Sequence, residues 1–254
     1  MESVMGGRVV TAAVVIIGNE ILSGRTQDTN LRDIALGLGR RGIRIAEARI
    51  IPDVEETIAA VVNELRVKYD YVLTTGGIGP THDDVTAQSI ARAFGVELVE
   101  HPEIAALLRR REAPPEVMKA RMRMALVPKG AKLIENSTGG PPGFYIGNVY
   151  VLAGIPVVMR AMLETLERSL EGGAVLQSRS VTVCLGESAI AEPLANLQRA
   201  HPDVEIGSYP FTRENGYGTT LVVRATDSAV LDAVVEELKA LIVAAGAEPV
   251  EGRE

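Results

Sequence analysis

The order of apolar runs and amphipathic stretches in this 254-residue chain predicts an α/β fold with a mostly parallel sheet, followed by a small α+β domain. Three observations carry that prediction. Val9 to Ile17 is almost continuously apolar and β-branched, the pattern of a central strand buried on both faces. The elements then alternate as β-α-β-α-β-α, which requires parallel strands joined by right-handed crossovers. Beyond Glu171-Gly172-Gly173 the order changes to β-α-β-β-α, that of a split α+β sandwich, so the domains are expected at 1–172 and 173–254.

In chain order, Val9 to Ile17 runs into the turn Gly18-Asn19-Glu20-Ile21-Leu22-Ser23-Gly24. That turn puts polar groups at a strand's carboxyl end, where open α/β sheets bind ligands. Asp28-Thr29-Asn30 starts a helix to about Arg41, stopped by Gly42. Ile43 to Ile51 is the second strand, and Pro52-Asp53 begins a helix to about Lys68. Tyr71 to Leu73 is the third strand. It leads into Thr74-Thr75-Gly76-Gly77-Ile78-Gly79-Pro80-Thr81-His82-Asp83-Asp84-Val85-Thr86, with Asp83-Asp84 opening a helix to about Phe94.

Pro102 to Arg111 and Pro115 to Ala125 read as short helices, and Ala131 to Ile134 as a short strand. The stretch from Asn136 to Gly143 is too rich in Gly and Pro to be regular. Phe144 to Ile146 and Val149 to Leu152 read as a hairpin turning at Gly147-Asn148, and Gly154-Ile155-Pro156 leads into a helix from Val157 to about Leu170. In the tail, Ser180 to Leu185 is a strand and Ser188 to Ala200 a helix. Val204 to Tyr209 and Thr219 to Arg224 pair around a loop from Pro210 to Gly218, and Ser228 to Ala245 is a helix.

Composition limits the functional classes. The formal net charge is −7, and the basic run Arg109-Arg110-Arg111 sits on a polar helix end, so no nucleic-acid partner is expected. No apolar run reaches membrane-spanning length, and no signal-peptide pattern opens the chain, so no membrane partner and a cytoplasmic location are expected. The single Cys184 excludes an internal disulfide and a cysteine metal cluster; its apolar surroundings suggest a buried, inert thiol.

The stretch around Gly76 carries the chemistry. Glycines let backbone N–H groups converge on a phosphate, and a following helix N-terminus favours negative charge. Carboxylates beside such a turn conflict with phosphate unless a hard divalent cation is shared between them. The alternative is purely structural: Thr81 and Asp84 have capping-box spacing, Asp28 can cap the helix after it, and Glu20 can be a solvated turn residue. The run is neither a Walker A loop nor a Rossmann fingerprint. His82 can touch phosphate or simply face solvent.

Taken together, the Gly18–Gly24, Asp28–Asn30, Thr75–Thr86 and Gly154–Pro156 motifs resemble those of the molybdopterin-binding-like superfamily. Within it the chain is similar to the N-terminal domain of CinA proteins and the N-terminal hydrolase domain of eukaryotic FAD synthases. The similarity reaches Gly207-Ser208-Tyr209-Pro210 in the small domain. The resemblance implies a three-layer αβα domain and hydrolysis of a dinucleotide pyrophosphate of the FAD or ADP-ribose class, assisted by a divalent metal of the Mg, Mn or Co class. Molybdopterin binding or adenylylation is the alternative, and a non-catalytic nucleotide-binding module a third.

Carried over by position, Asp84, Glu20 and Asp28 are the catalytic candidates, and Asp84, Asp83 and Glu20 the metal ligands. Gly76, Gly77, Ile78, Gly79, Thr81 and His82 form the phosphate turn. Asn136, Ser137, Thr138 and Gly139 come from a second loop, and Gly154 and Pro156 from a third. Asn19 stands where the family often carries Asp. The amidohydrolase and FAD synthase domains that normally follow do not occur within these residues, so neither deamidation of pyridine nucleotides nor FAD synthesis is expected. The implied partner is a dinucleotide or molybdopterin-like small molecule. A homo-oligomer is expected, a dimer before a trimer.

Overall fold

Strand β1 (Val10–Ile17) is the spine of the first unit in the computed structural model, which describes residues 8–213 and 216–252. It is buried almost throughout, as a strand covered on both faces must be. Its side chains split with period two. Ala13, Val15 and Ile17 enter one core; Val10, Ala12, Val14 and Ile16 enter another. Each fully buried branched side chain contributes about 1.5–3 kcal/mol.

The remaining elements of this unit follow in order. After β1 come α1 (Asn19–Leu22), α2 (Asn30–Arg40), β2 (Ile43–Ile51), α3 (Glu55–Lys68), β3 (Tyr71–Thr75) and α4 (Thr86–Phe94). Then come β4 (Leu98–Glu100), α5 (Pro102–Arg109), α6 (Pro115–Met122), a 3-10 turn at Arg123–Ala125, β5 (Leu126–Pro128) and β6 (Lys132–Ile134). The unit closes with β7 (Gly143–Ile146), β8 (Val149–Leu152) and α7 (Pro156–Glu167). The main sheet has the order β2-β1-β3-β8-β7-β6. Its first four strands are parallel, and β7 is antiparallel to both neighbours. Helices α3, α4 and α5 fill one core and α2 and α7 the other, so the unit has three αβα layers. The β4–β5 pair is a separate small sheet that the sequence reading missed, since three-residue strands carry little periodicity.

The edge strand β2 is charged on its open face. Glu47 binds Arg49, Lys68 and Tyr69, and these partners, Lys68 foremost, pull its carboxyl down to about 2. Charges of this kind also block edge-to-edge pairing.

The second unit contains β9 (Gln177–Val183), α8 (Glu187–Ala200), β10 (Glu205–Arg213), β11 (Gly216–Ala225), α9 (Ser228–Ala244) and β12 (Val250–Gly252). Its antiparallel sheet, in the order β10-β11-β9-β12, packs its apolar face on α8 and α9. Asp227 caps α9 by accepting from Ala229 N–H at 2.8 Å and Val230 N–H at 3.2 Å.

Several expectations are corrected here. The helix after the glycine turn starts at Thr86, not at Asp83-Asp84, which lie in an irregular turn. Pro210 to Arg213 and Gly216 to Gly218 continue the paired strands β10 and β11 instead of belonging to a loop; residues 214 and 215 lie outside the described residues. Cys184 is exposed, because the alternation that turns Val181 and Val183 inward puts the next position on the outward side.

The compact units divide between Ala174 and Val175. The Gly172-Gly173 pair is held by the first unit, not free. Gly173 N–H donates to Arg41 O at 3.0 Å, and a Cβ on Gly172 would lie 2.0 Å from that same carbonyl. Tyr71 Oη accepts from Glu171 N–H and donates to Glu171 O. A fragment of residues 1–174 is therefore expected to fold alone and melt cooperatively; a broad, non-cooperative melt by circular dichroism would show that the two units share a core.

Candidate functional site

The site lies where the carboxyl ends of adjacent parallel strands meet. Just past the ends of strands β2, β1, β3 and β8 come Asp53, Glu20, the Gly76 turn and Gly154 respectively. Gly76 crosses directly over the end of β1: a Cβ there would sit 2.1 Å from Ile17 O, and its φ is 106°. No other residue fits both constraints. Gly77, at φ 67°, packs against Thr86, whose hydroxyl donates to Gly76 O at 2.9 Å and whose N–H donates to Gly77 O at 3.0 Å. The turn's carbonyls are thus tied to the start of α4. Among the described residues, the N–H groups of Gly77, Ile78 and Gly79 have no acceptor.

Asn30 knits the floor together. Its amide nitrogen donates to Thr75 Oγ1 and Gly154 O, each at 2.8 Å, and Thr75 Oγ1 donates on to Ala153 O at 2.9 Å. Asn136 does the same for the second loop: it accepts from Thr138 N–H and hydroxyl and donates to Pro141 O. Asp84 Oδ2 accepts from Thr81 N–H at 2.8 Å and from the Thr81 hydroxyl, the return half of a capping box without the helix.

These elements enclose a cavity of about 530 Å³. Of the residues singled out from sequence, Glu20, Gly76, Gly77, Ile78, Gly79 and Asp84 line it. Asn136, Thr138 and Gly154 do so as well. Asp28 and Pro156 line an adjoining annex of about 70 Å³, together with Glu20 and Gly154; Asp28 Oδ1 also accepts from Leu31 N–H at 3.0 Å. Thr81, His82, Asp83, Ser137 and Gly139 are not on the wall, and the His82 side chain is 94% exposed with Asp83 4.0 Å away.

Two charged groups were missed. Asp53, read from sequence only as a helix start, accepts from Asn19 N–H at 2.8 Å and lies beside the Gly77 turn. Its carboxyl is raised above the ordinary aspartate range, first by burial and then by the negative charges of Glu20 and Asp83. Asp83 itself is lowered, by the Thr81 hydroxyl first, with His82 and Arg123 adding attraction. Arg123, read as part of a helix, lines the cavity. The inner wall is apolar, built from Met124, Leu126, Phe144, Val158 and Met162. The Pro-Asp pair following β2's apolar run was the available signal for Asp53; for Arg123 there was none.

Residues 13–171, which supply every element of this cavity, match the family model described as "Probable molybdopterin binding domain". The chain belongs to this molybdopterin-binding domain family. Residues 175–251, the second unit, match the model for the FAD synthase middle domain. A protein of Archaeoglobus fulgidus is 38% identical over 197 residues, 78% of this chain and 84% of its own length. A probable FAD synthase of Caenorhabditis elegans is 31% identical over 91% of this chain, which spans 50% of that enzyme. The crystal structure of the protein CinA, of unknown function, from Thermoplasma acidophilum superposes with a TM-score of 0.57 at 30% identity, over 63% of this chain and 96% of that one. The family match thus covers the unit that holds the glycine turn, and both similarities named from sequence, to CinA proteins and to FAD synthases, are present.

The electrostatics of the family's cavity in this chain give a stability test. Because the Asp53 pKa is raised on folding, the folded state holds its proton longer than the unfolded chain. Its contribution to stability is present at low pH and is lost as pH rises through the folded pKa. Asp53→Asn keeps an acceptor for Asn19 N–H. It is expected to raise the melting temperature at pH 7, with the gain vanishing near pH 3; a pH-independent difference in thermal melts would refute this.

Proposed function

We propose that the cavity hydrolyses a dinucleotide pyrophosphate of the FAD or ADP-ribose class with help from a divalent cation. The observation that supports this reading is one cavity lined by the turn with its unpartnered N–H groups, by the carboxylates Glu20 and Asp84, and by apolar side chains. Phosphate needs the first, a shared cation the second, and a flat ring system the third.

The residues present fit a hard cation. Glu20, Asp53 and Asp83 are close enough for the other two to push up the proton affinity of Asp53, and all are oxygen donors. Among the described residues, no three His, Cys, Asp or Glu side chains converge into a preformed cage. Glu20, Asp84 and Asp83 would therefore hold the ion with phosphate oxygens and water completing its shell, in the manner of Mg²⁺. Bound there, the cation would neutralise charge developing on the phosphoryl oxygens and acidify a water.

The chain's own groups divide the remaining work. The N–H groups of Gly77 to Gly79 hold one phosphate. Asp53, beside the turn and with its carboxyl raised by burial and by the charges of Glu20 and Asp83, would in its ionised form take the proton of the attacking water. The water oxygen bonds to one phosphorus, the bridging P–O bond breaks, and that oxygen leaves with the other phosphate as its own. Two nucleoside or sugar monophosphates result. Asp28, occupied at the start of α2, shapes the annex instead of acting on the bond.

The family match favours a second reading, molybdopterin binding or adenylylation in the same cavity. A product scan separates them. Hydrolysis of FAD or ADP-ribose in the presence of Mg²⁺, Mn²⁺ or Co²⁺ supports the first reading, whereas a requirement for a nucleoside triphosphate with molybdopterin supports the second.

Within the first reading, Asp84→Asn is expected to lower the rate by about 10²-fold or more while the fold survives, because asparagine retains an oxygen for the Thr81 N–H. Asp83→Asn, off the wall, should do less. Initial rates across a metal titration, with thermal melts in parallel, measure this. Full activity in Asp84→Asn would leave its carboxylate only a turn-forming role.

A further inference from the structure

Arg123 is the one cationic side chain on the cavity wall among the described residues; the other charged groups there are Glu20 and Asp84. It opens the 3-10 turn before β5 and is exposed. Elsewhere in this unit Arg40, Arg49, Arg92, Arg109 and Arg160 are each tied to a carboxylate. Among the described residues the Arg123 guanidinium makes no such bridge; its charge contributes weakly to lowering Asp83, after the Thr81 side chain and His82. In a chain of net charge −7, a cavity-lining guanidinium with no carboxylate at salt-bridge distance is available to an anion.

The turn N–H groups and Arg123 come from separate segments, the end of β3 and the connection before β5. Both line the one cavity, so a single ligand can meet both. A guanidinium fork matches two phosphoryl oxygens at once, which a single turn already filled by one phosphate leaves unread. We infer that Arg123 reads the second phosphoryl group of a diphosphate and sets the preference of this cavity for pyrophosphate-bearing nucleotides over monophosphates. This rests on the dinucleotide reading above, since FAD and ADP-ribose share an ADP half. It also accounts for release: once the bridge is cut, each product carries one phosphate and loses the two-point hold.

The test is calorimetric titration of the full-length protein in EDTA with AMP and with α,β-methylene-ADP, which differ by one phosphoryl group and resist cleavage. Wild type is expected to bind the methylene-ADP about 10-fold tighter or more than AMP. Arg123→Met, matched in length and flanked by Met122 and Met124, should bring that ratio close to one while AMP affinity changes less than about 3-fold. Arg123→Lys, a point charge without the fork, should keep an intermediate ratio. The exposed position should leave the melting temperature unchanged.

A wild-type ratio near one, an unchanged ratio in Arg123→Met, or binding of neither nucleotide overturns the inference. Dinucleotide hydrolysis with metal, run alongside, separates the two claims. An Arg123-dependent ratio without hydrolysis leaves diphosphate recognition standing and removes the hydrolase reading; hydrolysis with an Arg123-independent ratio does the reverse.

Discussion

The contact on which the site depends is the crossing of Gly76 over the end of β1. The turn backbone passes so close to Ile17 O that no Cβ can be accommodated. This contact exists only because β1 and β3 are parallel neighbours whose carboxyl ends are level, with Ile16 opposite Thr75. From it the rest follows. The turn is pressed against the strand that delivers Glu20, and Gly154 approaches from β8 with its position set by Gly76 Cα at 3.2 Å from a would-be Cβ. Asn30 then locks β3, the loop after β8 and the start of α2 into one floor.

The electrostatic design is a balance between two opposing demands. Unpartnered N–H groups invite an anion, while carboxylates a few residues away repel one. Within the protein alone that tension is visible at Asp53, whose proton is held by burial and by neighbouring acids. Asp83 shows the opposite response, because the Thr81 side chain first and then its own backbone lower its proton affinity, with the Arg123 charge adding to this. Asp53 and Asp83, neither of them on the cavity wall, thus have oppositely displaced proton affinities within the same acidic cluster. Arg123 adds a positive charge to the cavity lining.

The second unit has its own core, its own capped helix and its own family match. The Gly172-Gly173 segment shows that a glycine-rich stretch need not be a hinge. Here the absence of side chains permits close contact with Arg41 O, and the division between units falls after it.

The sequence by itself determined the parallel α/β order, the doubly buried first strand, the glycine turn at the end of the third strand and the family to which these belong. Each is written in local periodicity or in a contiguous motif, where side-chain alternation and glycine stereochemistry act over a few residues. It also nominated Glu20, Asp84, Asn136 and Gly154, which do face one cavity. Tertiary structure alone decided the rest. Asp53 reaches the site through a hydrogen bond to Asn19, 34 positions away, and Arg123 through the packing of a short 3-10 turn. His82, although inside the motif, turns to solvent because the helix it was expected to introduce starts only at Thr86. Cys184 is exposed because Val181 and Val183 take the inward face, which leaves position 184 outside. Burial, charge coupling and the convergence of strand ends depend on distances across the sheet, and no local pattern records those.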